Sequence, residues 1–248
     1  MKIINYIVYD LEFNQKSLNS SNNKDILKLP FEIIQIGALK FDENFDIIDN
    51  FNRLIKPTVH NTVHPYVESL TNITTDRLAL CETFPKVYHD FIEFISDSEI
   101  ILCVWGKTDI KELIRNAKFH NLPISSIPKR YIDVQMYSSS YFKIPKGSKI
   151  GLKTSVELLN IKFEDNFHDA YYDAYYTLEV YKSIYKYSTP PKICNFTSER
   201  RNITSNSQVD NKALIEQFEK MYNRKMSDEE KAIIKLAYIM GKTNQFTT

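Results

Sequence analysis

Tyr9-Asp10-Leu11-Glu12-Phe13 is the stretch on which the rest of the chain turns. It closes an apolar run, Ile3-Ile4-Asn5-Tyr6-Ile7-Val8-Tyr9, with the composition of a buried β-strand. Side chains alternate faces along a strand, so residues two apart share one. Asp10 and Glu12 therefore point the same way from the end of a hydrophobic strand. Two adjacent carboxylates repel and resist burial unless a cation sits between them, and hard oxygen ligands suit Mg²⁺ or Mn²⁺. Taken alone, the pair is read more readily as a polar strand end entering a solvated turn. Other stretches reverse that weighting.

The chain has 248 residues, 43% hydrophobic and 25% charged, enough for one large domain plus a small appendage. Lys and Arg number 32 against 31 Asp and Glu, so the globally basic balance of many nucleic-acid binders is absent and any phosphate-binding surface is local. Cys81, Cys103 and Cys194 are far apart with no CxxC, which argues against a zinc knuckle or a redox pair. An odd cysteine count and an N-terminus unlike a secretion signal predict reduced thiols and a cytoplasmic protein. No run approaches the ~18 apolar residues of a membrane span.

Asn14 to Lys28 is polar and reads as a long loop. Strands are predicted over Phe31 to Phe41 and Asp46 to Ile55, completing an antiparallel three-strand meander. A short helix is expected after Thr74 and a longer one over Thr83 to Ile95, with Pro85 in its first turn. Glu99 to Val104 reads as a strand, Thr108 to His120 as a helix and Tyr131 to Met136 as another strand. Leu152 to Leu159 and Phe167 to Tyr187 read as helices, the second stopped by Thr189-Pro190-Pro191. The expected organisation is a domain over 1–190, a polar linker over 191–209 and a helical hairpin over 210–248. Ser227-Asp228-Glu229-Glu230 supplies a capping box for its second helix, with Gly241 at its C-terminal stop.

Two further carboxylates join the first pair. Trp105-Gly106-Lys107-Thr108-Asp109 follows a buried strand and opens a helix, where the macrodipole favours an acid. His168-Asp169-Ala170-Tyr171-Tyr172-Asp173 sets Asp173 on the first turns of the long helix, with His168 just before it. A His beside carboxylates and a metal can accept a proton from water near neutral pH. Each motif alone fits an ordinary helix cap.

Asp-x-Glu on the first strand, Asp at a strand-turn-helix, then His-x4-Asp on a late helix resembles the DEDDh exonucleases. That RNase H-like group includes RNase T, oligoribonuclease and the proofreading subunits of DNA polymerases. The resemblance covers about Ile3 to Tyr187. Glu32-Ile33-Ile34-Gln35-Ile36-Gly37-Ala38 looks like the family's second strand. Ser69-Leu70-Thr71-Asn72-Ile73-Thr74 looks like its Leu-Thr-Gly-Ile segment, with Asn72 in place of Gly. The resemblance implies an α/β fold, an RNase H-like mixed sheet flanked by helices. It implies two Mg²⁺ (or Mn²⁺) ions about 4 Å apart on Asp10, Glu12, Asp109 and Asp173, with His168 as general base. It implies a terminal nucleotide packed on Phe13, Leu70 and Thr71, with Leu70 as a wedge. Trp105 is an aromatic at the same end that either stacks on substrate or packs in the core.

The implied activity is metal-dependent 3′-5′ hydrolysis of single-stranded RNA or DNA to nucleoside 5′-monophosphates. Asp-Leu-Glu followed by Glu-Ile-Ile-Gln-Ile-Gly looks more like the family's RNA-trimming branch than its proofreading branch, a resemblance that implies RNA. The alternatives are a repair or proofreading DNA exonuclease and a regulatory binding protein on a nuclease fold. Lys143, Lys146 and Lys149 form a basic loop that either tracks a phosphate backbone or is simply solvated. His60 and His64 have zincin spacing, but Asn61 stands where the Glu would and Pro65 follows, so no helical zinc site is expected. Ile233, Ile234, Leu236, Ala237 and Met240 form an apolar face on the hairpin, suited to its partner helix, to another protein or to self-association.

Overall fold

The structure is a computed structural model that describes residues 4–15, 28–96, 99–145, 147–164, 166–185, 190–194, 211–222 and 224–242. Lys146, most of the polar loop after Gln15 and most of the expected linker lie outside them. The chain divides into two compact units, Met1–Phe196 and Thr197–Thr248.

The first unit is built on β1 (Asn5–Gln15), which continues through Asp10 and Glu12 rather than ending there. β2 (Phe31–Phe41) and β3 (Ile47–Leu54) follow it as the antiparallel meander. On its other edge β1 pairs in parallel with β4 (Ile100–Val104), but only from Asn5 to Val8. The sheet order is β3-β2-β1-β4-β5-β6, with β5 at Arg130–Asp133 and β6 at Lys192–Ile193.

The β5 end of the sheet differs from the sequence reading. The predicted strand over Tyr131 to Met136 stops at Asp133, whose carboxylate accepts from Met136 N–H (2.9 Å) and so caps a helix over Val134–Tyr141. Lys192 and Ile193, read as linker, instead pair with Tyr131 and Arg130 at the sheet edge.

Helices α1 (Pro65–Thr71), α2 (Thr75–Ala79), α3 (Phe84–Phe94) and α4 (Thr108–Phe119) precede β5. α5 (Val134–Tyr141), α6 (Leu152–Leu158) and α7 (Ala170–Ile184) follow it. Strand alternation sorts the core into two faces. Ile7, Tyr9 and Leu11 pack with Phe84, Phe91, Ile110 and Leu113 of α3 and α4. Val8 packs on the opposite face with Ala174, Leu178 and Tyr181 of α7. Each fully buried side chain of this size contributes about 1.5–3 kcal/mol. Asp10 and Glu12 have the parity of Val8, so they face α7, and burial of the odd residues leaves no other register.

α7 lies directly on β2. A Cβ added at Gly37 would meet Ala170 C and Tyr171 N at 2.2 Å, an approach only glycine permits. No helix among the described residues is long and apolar enough to cross a membrane.

The second unit holds α8 (Asn211–Tyr222) and α9 (Asp228–Lys242). Ser227 N–H donates to Glu230 Oε2 (2.8 Å) and Glu230 N–H to Ser227 Oγ (3.2 Å), the reciprocal capping box expected from sequence. Gly241 lies inside α9 rather than after it. Ile234 is half-buried, whereas Ile233 and Leu236 are exposed.

Candidate metal-binding active site

β1 outruns β4. Beyond Val8 its β4-side edge has no strand partner among the described residues, and Asp10 and Glu12 lie in that stretch. The β4–α4 turn, with Gly106 at φ +88°, carries the chain back so that Asp109 sits in the first turn of α4, 6% exposed. Asp173 comes from the first turn of α7, on the layer covering the Asp10 and Glu12 face. Three elements thus bring four carboxylates to one end of the sheet.

Their electrostatics reflect that crowding. Burial, then Asp109, Glu12 and Asp173, push the Asp10 carboxyl far above its usual range. Burial and the neighbouring acids Asp173 and Asp109 push Glu12 up to about 8. Asp109 is pushed to about 8 by burial, Glu112 and Asp173. Burial raises Asp173 to about 7, although the His168 N–H donates to its Oδ2 at 3.3 Å. Ligand atoms of Glu12, His168 and Asp173 lie within 4.8 Å of one another. At such a distance two like charges cost roughly 3–4 kcal/mol per pair for an effective dielectric of 20. Asp173 Oδ1 is buried with no hydrogen-bond partner. An unpartnered carboxylate oxygen amid uncompensated acids fits a bound divalent cation, and the all-oxygen carboxylate set fits a hard one.

His168 precedes α7 with left-handed backbone, φ +66°, uncommon outside glycine and often found at functional positions. Its ring is exposed, and partial desolvation together with Lys153 lowers its pKa from the ordinary 6.5, favouring the neutral imidazole. Lys153 Nζ stands 5.4 Å from the Phe167 ring centre, beside His168 in sequence.

The α7 entrance is fixed by residues that no local motif announced. Asp169 is its N-cap, with Oδ1 accepting from Tyr171 N–H (2.9 Å). Gln35 of β2 donates from Nε2 to Asp169 Oδ2 (3.2 Å) and accepts the Ala170 N–H on Oε1 (3.2 Å). Asp169 could have been recognised as an acid immediately before a helical run. Gln35 carries no such signal, since its partners are 134 and 135 residues away. Glu112, buried one turn after Asp109, accepts two hydrogen bonds from Arg115 Nη1 (2.7 and 2.9 Å).

The expected nucleotide-contacting residues are spread around this end. Phe13 follows a bulge in the β1–β2 register and packs edge-on to Phe31, 6.3 Å between ring centres. It lies on the face opposite the acids, as alternation requires. Leu70 is half-buried near the end of α1. Thr71 is buried, its hydroxyl donating to Val67 O (2.9 Å) and accepting from Ile73 N–H (3.1 Å). Asn72, in place of Gly, closes α1 at φ +56°, a left-handed conformation that Asn tolerates. Trp105 is half-buried against the α7-side core.

His60 and His64 are structural. His60 Nε2 pairs with Leu29 O (3.0 Å), and His64 caps α1. Buried Asn14 donates to His60 O (3.1 Å) and Thr62 O (2.9 Å), and buried Glu32 accepts from Val59 and His60 N–H, so this segment and α1 are tied to β1 and β2.

A family model described as an exonuclease, RNase T, matches residues 7–181. A curated human protein, 3′-5′ exoribonuclease 1, is 20% identical over 147 residues, covering 56% of this chain and 40% of its own length. The chain thus matches less than half of that relative. The nuclease domain of 3′hExo, a DEDDh family member bound to rAMP, superposes with a TM-score of 0.64 at 18% identity, covering 77% of this chain and 96% of that one. The zinc-bound E. coli ExoI–ssDNA complex gives a TM-score of 0.57 at 15% identity, covering 73% of this chain and 40% of that one. At these identities the structural likeness establishes the fold, an RNase H-like mixed sheet flanked by helices.

Proposed function

Because the chain belongs to the RNase T exonuclease family, we propose that it removes nucleotides from the 3′ end of single-stranded nucleic acid, RNA in preference to DNA, with two Mg²⁺ or Mn²⁺ ions. The observation that carries this is the convergence of Asp10, Glu12, Asp109 and Asp173 beside His168, with a buried Asp173 oxygen left unpartnered. Asp10, Glu12, Asp109 and Asp173 would hold the ions, offsetting four carboxylate charges. When bound, the ions acidify an attacking water and stabilise charge on the phosphodiester and its departing 3′ oxygen. His168 accepts the water's proton on a ring nitrogen, which its lowered pKa leaves free near neutral pH. As the new P–O bond forms, the bond to the 3′ oxygen breaks, and that oxygen takes a proton from solvent. The terminal unit leaves as a nucleoside 5′-monophosphate. The Gln35–Asp169 contact and the close approach at Gly37 support His168 and Asp173 by holding the α7 entrance on β2. Phe13, Leu70, Thr71 and the partly exposed Trp105 are the residues proposed to receive the terminal nucleotide.

RNA is supported by the Asp-Leu-Glu and Glu-Ile-Ile-Gln-Ile-Gly stretches and by the human exoribonuclease relative. The α8–α9 hairpin, with Ile233 and Leu236 exposed, is proposed as a protein-partner or self-association module, and the protein as cytoplasmic. The test uses 5′-labelled single-stranded RNA and DNA oligomers with Mg²⁺, Mn²⁺ or EDTA. A ladder shortened from the 3′ end, abolished by EDTA and faster on RNA, is expected. Binding without shortening in either metal would instead make the chain a nuclease-fold binding protein.

A further inference from the structure

A strand whose 3′ end occupies the acid cluster has to leave it across a neighbouring surface, and the segment entering α7 offers one. Residues 163–176 hold six aromatics in fourteen positions, Phe163, Phe167, Tyr171, Tyr172, Tyr175 and Tyr176, against 13% aromatic for the whole chain. His168 and Asp173 lie inside the same stretch.

Part of this group has a structural task. Tyr176 is 2% exposed, its hydroxyl donates to Glu164 O (2.9 Å), and its ring centre lies 4.8 Å from that of Phe167. These two rings hold the segment before α7 against the helix. Phe163 and Tyr172 do not share that burial. Each has its ring centre 6.4 Å from that of Tyr176, yet they remain 36% and 38% exposed. A ring fixed along one side by a buried neighbour and open on the other is an aromatic surface rather than core.

That surface adjoins the acid cluster at two points. Tyr172 immediately precedes Asp173 on α7, and the Asp173 charge reaches the Tyr176 phenol. Lys153 of α6 stands 5.9 Å from the Phe163 ring centre and 5.4 Å from that of Phe167, and the same ammonium acts on His168. The rings therefore lie beside both His168 and Asp173. Phe167 and Tyr176 pack on the α7 side of the sheet, whereas Phe13 packs on the other. Exposed Lys162 and Glu164 flank Phe163 with opposite charges, so what the surface has in common is aromatic and not electrostatic. Every nucleobase has a π-face and stacks on such a ring whatever its identity.

We infer that Phe163 and Tyr172 form a stacking platform for the bases that lie upstream of the terminal nucleotide. The inference rests on the exonuclease reading and adds to it a substrate-binding surface. Recognition of this kind is indifferent to base sequence and requires that the upstream nucleotides carry bases at all.

The test reads strand binding apart from turnover, as Kd from the anisotropy of a 5′-fluorescein single-stranded dodecamer in EDTA, and then as KM and kcat in Mg²⁺. Phe163→Leu and Tyr172→Leu each remove one ring, and Tyr141→Leu, 47% exposed on α5, is the control. A base stacked on an aromatic side chain is worth about fivefold or more in affinity. Each Leu variant is expected to raise Kd and KM by that factor, with the control at wild-type values. Tm and inhibition by the nucleoside 5′-monophosphate product should not change, since the product has no upstream base. Tyr172→Phe keeps the ring and is expected to restore the binding that Tyr172→Leu loses. A dodecamer abasic at its second, third and fourth positions from the 3′ end should bind wild type as weakly as the intact strand binds the double Leu variant, and lose nothing further in that variant. Unchanged Kd and KM in both Leu variants would overturn the platform. So would an equal loss in Tyr141→Leu, or an abasic penalty as large in the double variant as in wild type. A lowered Tm with weaker product inhibition would overturn it too, by making the rings supports of the α7 entrance. A wild-type protein that shows this ring- and base-dependent binding but releases no nucleotide in Mg²⁺ or Mn²⁺ would remove the exonuclease reading and leave the platform standing.

Discussion

Gly37→Ala puts the geometry of the site under direct strain without touching any reacting group. Its added Cβ would lie 2.2 Å from Ala170 C and Tyr171 N, and 2.4 Å from Ala170 O, whereas ordinary contact begins near 3.4 Å. All three atoms are backbone, so no side chain can swing aside. The first turn of α7 must retreat by about 1.2 Å or β2 must bend. Either movement stretches the two Gln35 hydrogen bonds and displaces His168 and Asp173 from Asp10 and Glu12. Overpacking of this kind costs about 1–3 kcal/mol, and for a domain of this size 2 kcal/mol lowers Tm by roughly 4–8 °C. Misplacement near 1 Å costs on the order of 10²-fold in rate. The assay is kcat/KM for nucleotide release from a labelled oligomer, beside a thermal melt at fixed metal concentration. Gly151→Ala is the control, because its Cβ would meet nothing nearer than Thr154 Oγ1 at 3.7 Å; it should keep activity within about twofold, although replacing the N-cap Gly of α6 by Ala costs about 1 kcal/mol and lowers Tm by a few degrees. Full activity and an unchanged Tm in Gly37→Ala would refute the claim that this contact holds the α7 entrance in place.

Other consequences follow from the same cluster. His168→Ala should lower kcat by about 10²–10⁴-fold while Mn²⁺ affinity, measured by calorimetry, stays within a few-fold. Unchanged turnover would remove His168 as the base. The raised carboxyl pKa values mean that the metal-free folded state binds protons the unfolded chain has released, so the cluster's contribution to stability is fully present below about pH 4 and is lost as pH rises to about 8. Melting in EDTA should therefore show Tm falling across that window from this cluster, with Mg²⁺ restoring more at pH 8 than at pH 5. A Mg²⁺ increment independent of pH would contradict it. Asp173→Asn replaces a desolvated acid by a neutral amide, so it should abolish nucleotide release yet raise the metal-free Tm at pH 8. A lower metal-free Tm there would mean that Asp173 is not a strained acid.

Pattern alone was enough for Asp10 and Glu12 because strand alternation is strictly local: once Ile7, Tyr9 and Leu11 are buried, the acids can face only the other side. Asp109 and Asp173 were legible for a related reason, since each opens a helix whose start is marked by neighbouring residues. The helix at Val134 was misread because its cap, Asp133, sits in an apolar context that has strand character in isolation. What escaped the pattern is the set of long-range polar contacts: Gln35 on the α7 entrance, and Glu32 and Asn14 on the segment before α1. A buried polar side chain is satisfied by whatever backbone or side chain the fold brings to it, and nothing in the flanking residues records a partner tens of positions away, or for Gln35 134 and 135 positions away. The left-handed backbone at His168 and the nearness of Lys153 belong to the same category, set by α7 lying on β2 at Gly37. The residue types of the acid cluster, their order and the face they occupy were thus determined by the sequence itself. How closely they approach, how far their pKa values rise and which neutral residues hold them there were decided by tertiary packing, because only packing removes the water that would otherwise screen and satisfy each group.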